Sequence, residues 1–161
     1  MKKTVLPLMA LLMLGSLLMQ AQPKRSLTSY VNPMIGTAGM GHTFPGACAP
    51  FGVVQLSPET DTIPHNVDGK YQGQVYAYCA GYQYDDPTIV GFSHTHLSGT
   101  GHSDLGDVMI MPQTGALKLN PGTATHPENG YRSRYSHANE KATAGYYEVM
   151  LDDYGVKAQL T

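Results

Sequence analysis

Tryptophan is absent from the 161 residues, phenylalanine occurs three times, cysteine twice, and charged side chains make up only 14%. Each scarcity excludes something. Two cysteines, Cys48 and Cys79, cannot build the framework of a small disulfide-stapled domain, and their separation lacks zinc-finger spacing. No block of Lys and Arg occurs, so the electrostatic footprint of a nucleic-acid binder is missing. Beyond residue 21 no stretch repeats its apolar residues at a helical period, which argues against a helical domain. There is no internal repeat and no low-complexity tract.

What is present begins with a processing signal. Met1-Lys2-Lys3 is a short basic start, Val5 to Met19 is dominated by Leu, Met and Val, and Gln20-Ala21-Gln22-Pro23 is polar with a small residue. That order describes a secretory signal peptide over residues 1–21, cleaved after Ala21. The apolar run is too short and too soon interrupted for a membrane span. No Cys follows it, so a bacterial lipid anchor is not expected there. Cleavage takes Lys2 and Lys3 from ten basic side chains, leaving eight against twelve acidic ones, a net charge of −4. The remaining length suits one domain. In an oxidising compartment Cys48 and Cys79 are either bridged or two thiols buried as small apolar residues.

Residues 22–29 are a polar lead-in, and the ordered domain is expected over residues 30–161. Gly36 to Gly52 carries five glycines and two prolines, so it reads as a tight loop with His42 near its centre. Strands are expected at Phe51–Pro58, Gln74–Tyr78, Thr88–Phe92, Val108–Met111 and Leu117–Leu119, with an exposed loop from Glu59 to Tyr71. The end reads as a hairpin, 146–151 and 156–161, whose second arm alternates Val156, Ala158 and Leu160 against Lys157, Gln159 and Thr161. The fold class expected is all-β, an antiparallel β-sandwich. The alternation stops at Thr161 in a strand that should pair onward, so an N-terminal fragment of a longer chain is expected.

The chemistry concentrates in Gly91 to Asp107, between two apolar runs. Three of the seven histidines lie there, with four glycines, two aspartates and five hydroxyl side chains. In extended backbone His94 and His96 point to one side, so with His102 or Asp104 they offer zinc ligands. Alternatively, His, Asp and Ser supply planar donors and acceptors for sugar hydroxyls, while Gly99 and Gly101 let backbone N–H groups approach. Tyr82 and Tyr84 then either stack on a pyranose face or pack in the core. A nucleophilic Ser98 or Ser103 is the weakest option, for no Gly-x-Ser-x-Gly elbow exists.

Three blocks carry a resemblance: Tyr30 to Thr37; Gly41-His42-Thr43-Phe44-Pro45-Gly46 through Pro50-Phe51-Gly52 to Ser57-Pro58; and Gly81-Tyr82-Gln83-Tyr84 through Gly91-Phe92-Ser93-His94-Thr95-His96-Leu97-Ser98-Gly99 to Ser103-Asp104-Leu105-Gly106-Asp107. Together they resemble the N-terminal domain of glycoside hydrolase family 92, the calcium-dependent exo-α-mannosidases. Cys48 and His102 depart from the pattern. The resemblance implies a β-sandwich joined to a larger (α/α)6 helical barrel, with the active site where the two meet. It implies hydrolysis of terminal α-mannosides with inversion. The catalytic acid, the base and most calcium contacts would lie in the helical domain, leaving no catalytic residue in this fragment. His42, Tyr82, Tyr84, His94, His96, Ser98, Gly99 and Asp104 are then expected to bind substrate or brace the domain interface. The partners implied are mannose-containing glycans and the helical domain, in a secreted or periplasmic location. The alternatives are a stand-alone carbohydrate-binding β-sandwich and a zinc hydrolase using His94, His96 and His102.

Overall fold

Alternation of side chains builds the best-formed part of the molecule. A computed structural model of the chain describes residues 26–48, 51–60, 63–96, 98–99 and 106–161. Strand β8 (Tyr146–Leu151) turns Tyr147, Val149 and Leu151 fully inward, while Tyr146, Glu148 and Met150 stay half-buried. It pairs antiparallel with β9 (Val156–Leu160) on one side and β7 (Glu140–Thr143) on the other. The hairpin expected at 146–161 therefore forms, with β7 added to it. The inward side chains of β8 join Ile89, Phe92 and Ala158 in the apolar core. Each large side chain buried there contributes about 1.5–3 kcal/mol.

The other described pairings are short, and all are antiparallel. Strand β1 (Ser57–Glu59) pairs with β5 (Gly91–Ser93), β2 (Asn66–Val67) with β3 (Lys70–Tyr71), and β4 (Thr88–Ile89) with β6 (Ser133–Arg134). Asp68 and Gly69, both at positive φ, close the β2–β3 hairpin. The Arg134 guanidinium and backbone N–H meet the Asp153 carboxylate, tying β6 to the β8–β9 turn. Regular helix is limited to short 3-10 turns, and no helix among the described residues is long and apolar enough to cross a membrane. The antiparallel all-β class is what forms.

Several expected strands do not. Gln74–Tyr78 lies inside a 3-10 helix, Gly73–Tyr78. Its tyrosines find separate partners, Tyr76 edge-on to His42 and Tyr78 donating to Asp86, rather than lining one face of a sheet. Phe51, Val53 and Val54 are exposed, and the strand there begins only at Ser57. Pro58 continues it instead of ending it. Pro58 stands opposite Phe92, whose N–H and C=O both bond Ile110 on the far side, so the missing proline donor faces no acceptor on β5. Val108 to Met111 contributes one bridge, Ile110 to Phe92, and leaves Val108, Met109 and Ile110 exposed. Leu117 and Leu119 are exposed outside any strand.

Candidate functional site

Strand β5 delivers the chain to the central loop, and the base of that loop is clamped. His94 N–H donates to Asp107 O at 3.1 Å and Gly106 N–H to Thr95 O at 3.0 Å. The Thr95 hydroxyl accepts from Asp107 N–H at 3.1 Å, and the His94 ring nitrogen Nδ1 reaches Val108 O at 2.7 Å. From the other side Gln55 N–H donates to His94 O at 2.8 Å. This ladder ties residues 94–96 to residues 106–108.

Inside the clamp lies a buried polar cluster built on His96, which is 3% exposed. Its Nδ1 lies 2.6 Å from Gln55 O, and its backbone N–H donates to Gln55 Oε1 at 2.9 Å. Its Nε2 lies 2.8 Å from Glu59 Oε1 and 2.9 Å from Ser93 Oγ, while the Ser93 hydroxyl donates to the same Glu59 oxygen at 2.5 Å. The Phe44 ring covers the imidazole at 5.0 Å. Glu59 was expected at the start of an exposed loop, yet its side chain is 13% exposed and belongs to β1. Ser57 and Glu59, two apart in extended backbone, share a face, and both are enclosed; no local sequence signal marks Glu59 for this.

Gly81 shows how tightly the carboxylate is enclosed. It sits at φ +78°, and a Cβ there would stand 2.2 Å from Glu59 Oε2. Gly81→Ala combines left-handed strain with displacement of a buried charge. We expect a loss of about 1–3 kcal/mol from the strain alone, measured as a shift of the urea midpoint. A change under about 0.5 kcal/mol, as for an ordinary surface site, would show that the turn is free to move.

His42 is buried, adopts φ +52°, and is edge-on to Tyr76 at 4.8 Å. Its Nε2 has no hydrogen-bond partner among the described residues. Its carbonyl accepts from Gly99 N–H at 2.7 Å, which joins the glycine loop to the central loop. Cys79 is buried nearby, its thiol 3.5 Å from Gly99 O, while Cys48 is exposed. The two cysteines are unbridged, so the disulfide alternative is replaced by two separate thiols, of which only Cys79 is buried.

Tyr82 and Tyr84 part company. Tyr82 is 1% exposed, and its hydroxyl donates to Glu140 at 3.0 Å. It belongs to the core and cannot present a face to a sugar. Tyr84 is 37% exposed and stacks parallel on the His137 ring at 3.8 Å. Glu140, at 3% side-chain exposure, also accepts from Tyr147 at 2.6 Å and meets His137 Nδ1 at 2.5 Å. The Tyr135 hydroxyl donates to that of Tyr82 at 3.2 Å. Burial, reinforced by these neighbouring phenols and the Glu140 charge, pushes the Tyr82 hydroxyl far above the ordinary tyrosine range. Burial acts the same way on Tyr135 and Tyr147.

His94 is half-buried, Ser98 and Gly99 are exposed, and His102 and Asp104 lie outside the described residues. Both His96 ring nitrogens lie against partners within the chain and His94 Nδ1 meets Val108 O; His102, needed for the zinc set, lies outside the described residues. No group of three or more His, Cys, Asp or Glu side chains among the described residues could hold a metal. Glu59 and Glu140 are each committed to hydrogen-bond donors of the chain.

The described residues form an all-β domain that gathers two glycine-rich loops at a buried polar cluster, and comparison with other proteins shows where it belongs. The profile of the glycosyl hydrolase family 92 N-terminal domain matches residues 30–161. The chain belongs to glycoside hydrolase family 92. It is 51% identical to a family 92 α-mannosidase from Bacteroides thetaiotaomicron whose structure holds mannoimidazole, with a TM-score of 0.74 over 84% of this chain and 16% of that one. A second structure, another family 92 glycosyl hydrolase, is 32% identical with a TM-score of 0.56, over 77% of this chain and 14% of that one. An uncharacterized secreted glycosidase from Arthroderma benhamiae is 29% identical over 155 residues, covering 94% of this chain and 18% of that protein. The chain thus spans less than a fifth of these relatives.

Proposed function

We propose that the chain is the N-terminal domain of a secreted, calcium-dependent exo-α-mannosidase that removes terminal α-linked mannose from glycans with inversion. The observation that carries this is the 51% identity to an α-mannosidase across 84% of the chain. Residues 1–21 are its signal peptide, and the periplasm is its compartment; a secreted relative supports export. Hydrolysis with inversion needs an acid and a base roughly 6.5–9.5 Å apart with a water between them. Glu59 and Glu140 do not meet that need, since each is enclosed by its own donors. We infer, as the family resemblance implies, that the acid, the base and most of the calcium ligands belong to a downstream helical domain; the chain's 16% share of the α-mannosidase's length supports this. Exposed Tyr30, Ile35, Met40, Phe51 and Val53 supply apolar surface for it to cover. Among the described residues His94, Ser98, Gly99 and Tyr84 are the candidates to contact sugar or the partner domain; Asp104 lies outside the described residues.

The test is an aryl α-mannoside assay on the complete polypeptide and on residues 22–161 alone. The complete polypeptide should release mannose first as the β-anomer and lose turnover when calcium is chelated. Residues 22–161 should stay at background. Turnover by the short segment, or retention of configuration, would overturn the proposal.

A further inference from the structure

Gln83 lies between the two tyrosines of the 81–84 segment and is 9% exposed. Its side-chain amide reaches two backbone carbonyls of separate loops, Gly39 O at 2.9 Å and Ala77 O. Carbonyl oxygens only accept, so the amide nitrogen faces both and spends its two hydrogens on them. The backbone of Gln83 is fixed as well. Its N–H donates to the buried Thr60 hydroxyl at 3.0 Å, just past β1, and its carbonyl accepts from Asp86 N–H at 3.1 Å. One residue thus ties the glycine loop and the Gly73–Tyr78 turn to the end of β1.

The glycine loop needs such a tie. Gly36, Gly39 and His42 all hold positive φ, and a Cβ at Gly41 would stand 2.1 Å from Gly36 O. Left-handed backbone at a histidine persists only where its surroundings fix it. Inside the loop Thr43 N–H donates to Gly36 O at 3.3 Å and Gly41 N–H to Ala38 O at 3.2 Å. Among the described residues, three hydrogen bonds join residues 36–43 to distant segments. Two come from adjacent residues, the Gln83 amide to Gly39 O and Tyr84 N–H to Thr37 O at 2.9 Å. The third runs outward, from Gly99 N–H to His42 O at 2.7 Å. The loop is therefore held on one side by residues 83–84 and holds Gly99 on the other.

We propose that Gln83 is a positioning residue: through the glycine loop and His42 O, its amide sets where Ser98 and Gly99 stand to meet the sugar. The role in binding rests on the mannosidase reading; the link from Gln83 to Gly99 does not. Gln83→Met keeps nearly the same volume and removes both donated hydrogens. The loop then loses one of its two inward ties, which shifts its closing equilibrium by about two- to tenfold.

The complete polypeptide serves for the test. In Gln83→Met the Gly99 and Thr43 amides should lose about two- to tenfold of their protection from hydrogen exchange, while Val149 in β8 keeps its own. With an aryl α-mannoside, KM should rise by about the same factor at unchanged kcat, the mark of lost binding. A residue that only stabilised the fold would lower the active fraction, and with it kcat, leaving KM unmoved. Unchanged protection at Gly99, an equal loss at Val149, or an unmoved KM would each overturn the proposal. No turnover by the wild type would instead refute the mannosidase reading, and exchange at Gly99 would still decide the link. If Gln83→Met does not fold, the wild-type side chain decides: both Gln83 amide hydrogens should exchange far more slowly than those of a free amide, and exchange at the free rate would overturn the proposal.

Discussion

Replacing Glu140 with alanine is expected to destabilise the domain by about 3–5 kcal/mol, the range for removing one partner from a buried charge network. The carboxylate is 3% exposed and collects donors from three places. Tyr147 in β8 donates at 2.6 Å, Tyr82 from the 81–84 segment donates at 3.0 Å, and His137 approaches at 2.5 Å. Alanine leaves the Tyr82 and Tyr147 hydroxyls, both in fully buried residues, without their acceptor. Each such orphan costs about 1–3 kcal/mol. Glu140→Gln keeps an acceptor in place and should cost about 1–2 kcal/mol, the value of weakened hydrogen bonds rather than of orphaned groups. Urea unfolding of the intact protein, followed through exchange of the β8 amides, gives the ordering. A loss under about 0.5 kcal/mol for Glu140→Ala would place this network among surface-like sites and refute its role in joining the 81–84 segment to the β7–β9 sheet.

The same cluster should make the domain unfold steeply in alkali. Tyr82, Tyr135 and Tyr147 have hydroxyls held above the ordinary range, chiefly by burial, with the Glu140 charge adding to it in all three. In the unfolded chain each ionises near pH 10. Because the folded values are raised, the contribution is fully present below about pH 10 and is lost as the pH climbs above it. Three protons released together on unfolding give a slope of about 4 kcal/mol per pH unit. Of the chain's 11 tyrosines, these three should ionise only as the fold is lost. Tyrosinate absorbance recorded alongside circular dichroism checks this, and Tyr82→Phe should lower the slope by one proton. Smooth titration of all eleven with the dichroism unchanged would contradict the buried cluster.

Both expectations depend on residues the sequence did not single out for these roles. Tyr82 was open between sugar stacking and core packing, and only its approach to Glu140, 58 positions away, settles it as core. Glu59 and Ser93 are 34 positions apart, and Glu59 looked like the first polar residue of a loop. The strands assigned to Gln74–Tyr78 and Leu117–Leu119 failed for a related reason. Their composition suits a pleated surface, but a strand exists only where a neighbour supplies its hydrogen bonds, and none of the described segments does so.

The sequence alone was enough for the antiparallel all-β class, for the terminal hairpin with Val156, Ala158 and Leu160 on one face, and for the family, whose blocks at 30–37, 41–58 and 81–107 stand in order. Those features are local, since period-two alternation and glycine spacing are written in consecutive residues. Tertiary structure alone decided that His96 meets Glu59, that Glu140 gathers three donors, and that Cys48 and Cys79 stay apart. Burial is a property of contacts between distant segments. The charge and hydrogen-bonding state of a carboxylate or an imidazole depends on what encloses it, which no stretch of neighbouring residues specifies.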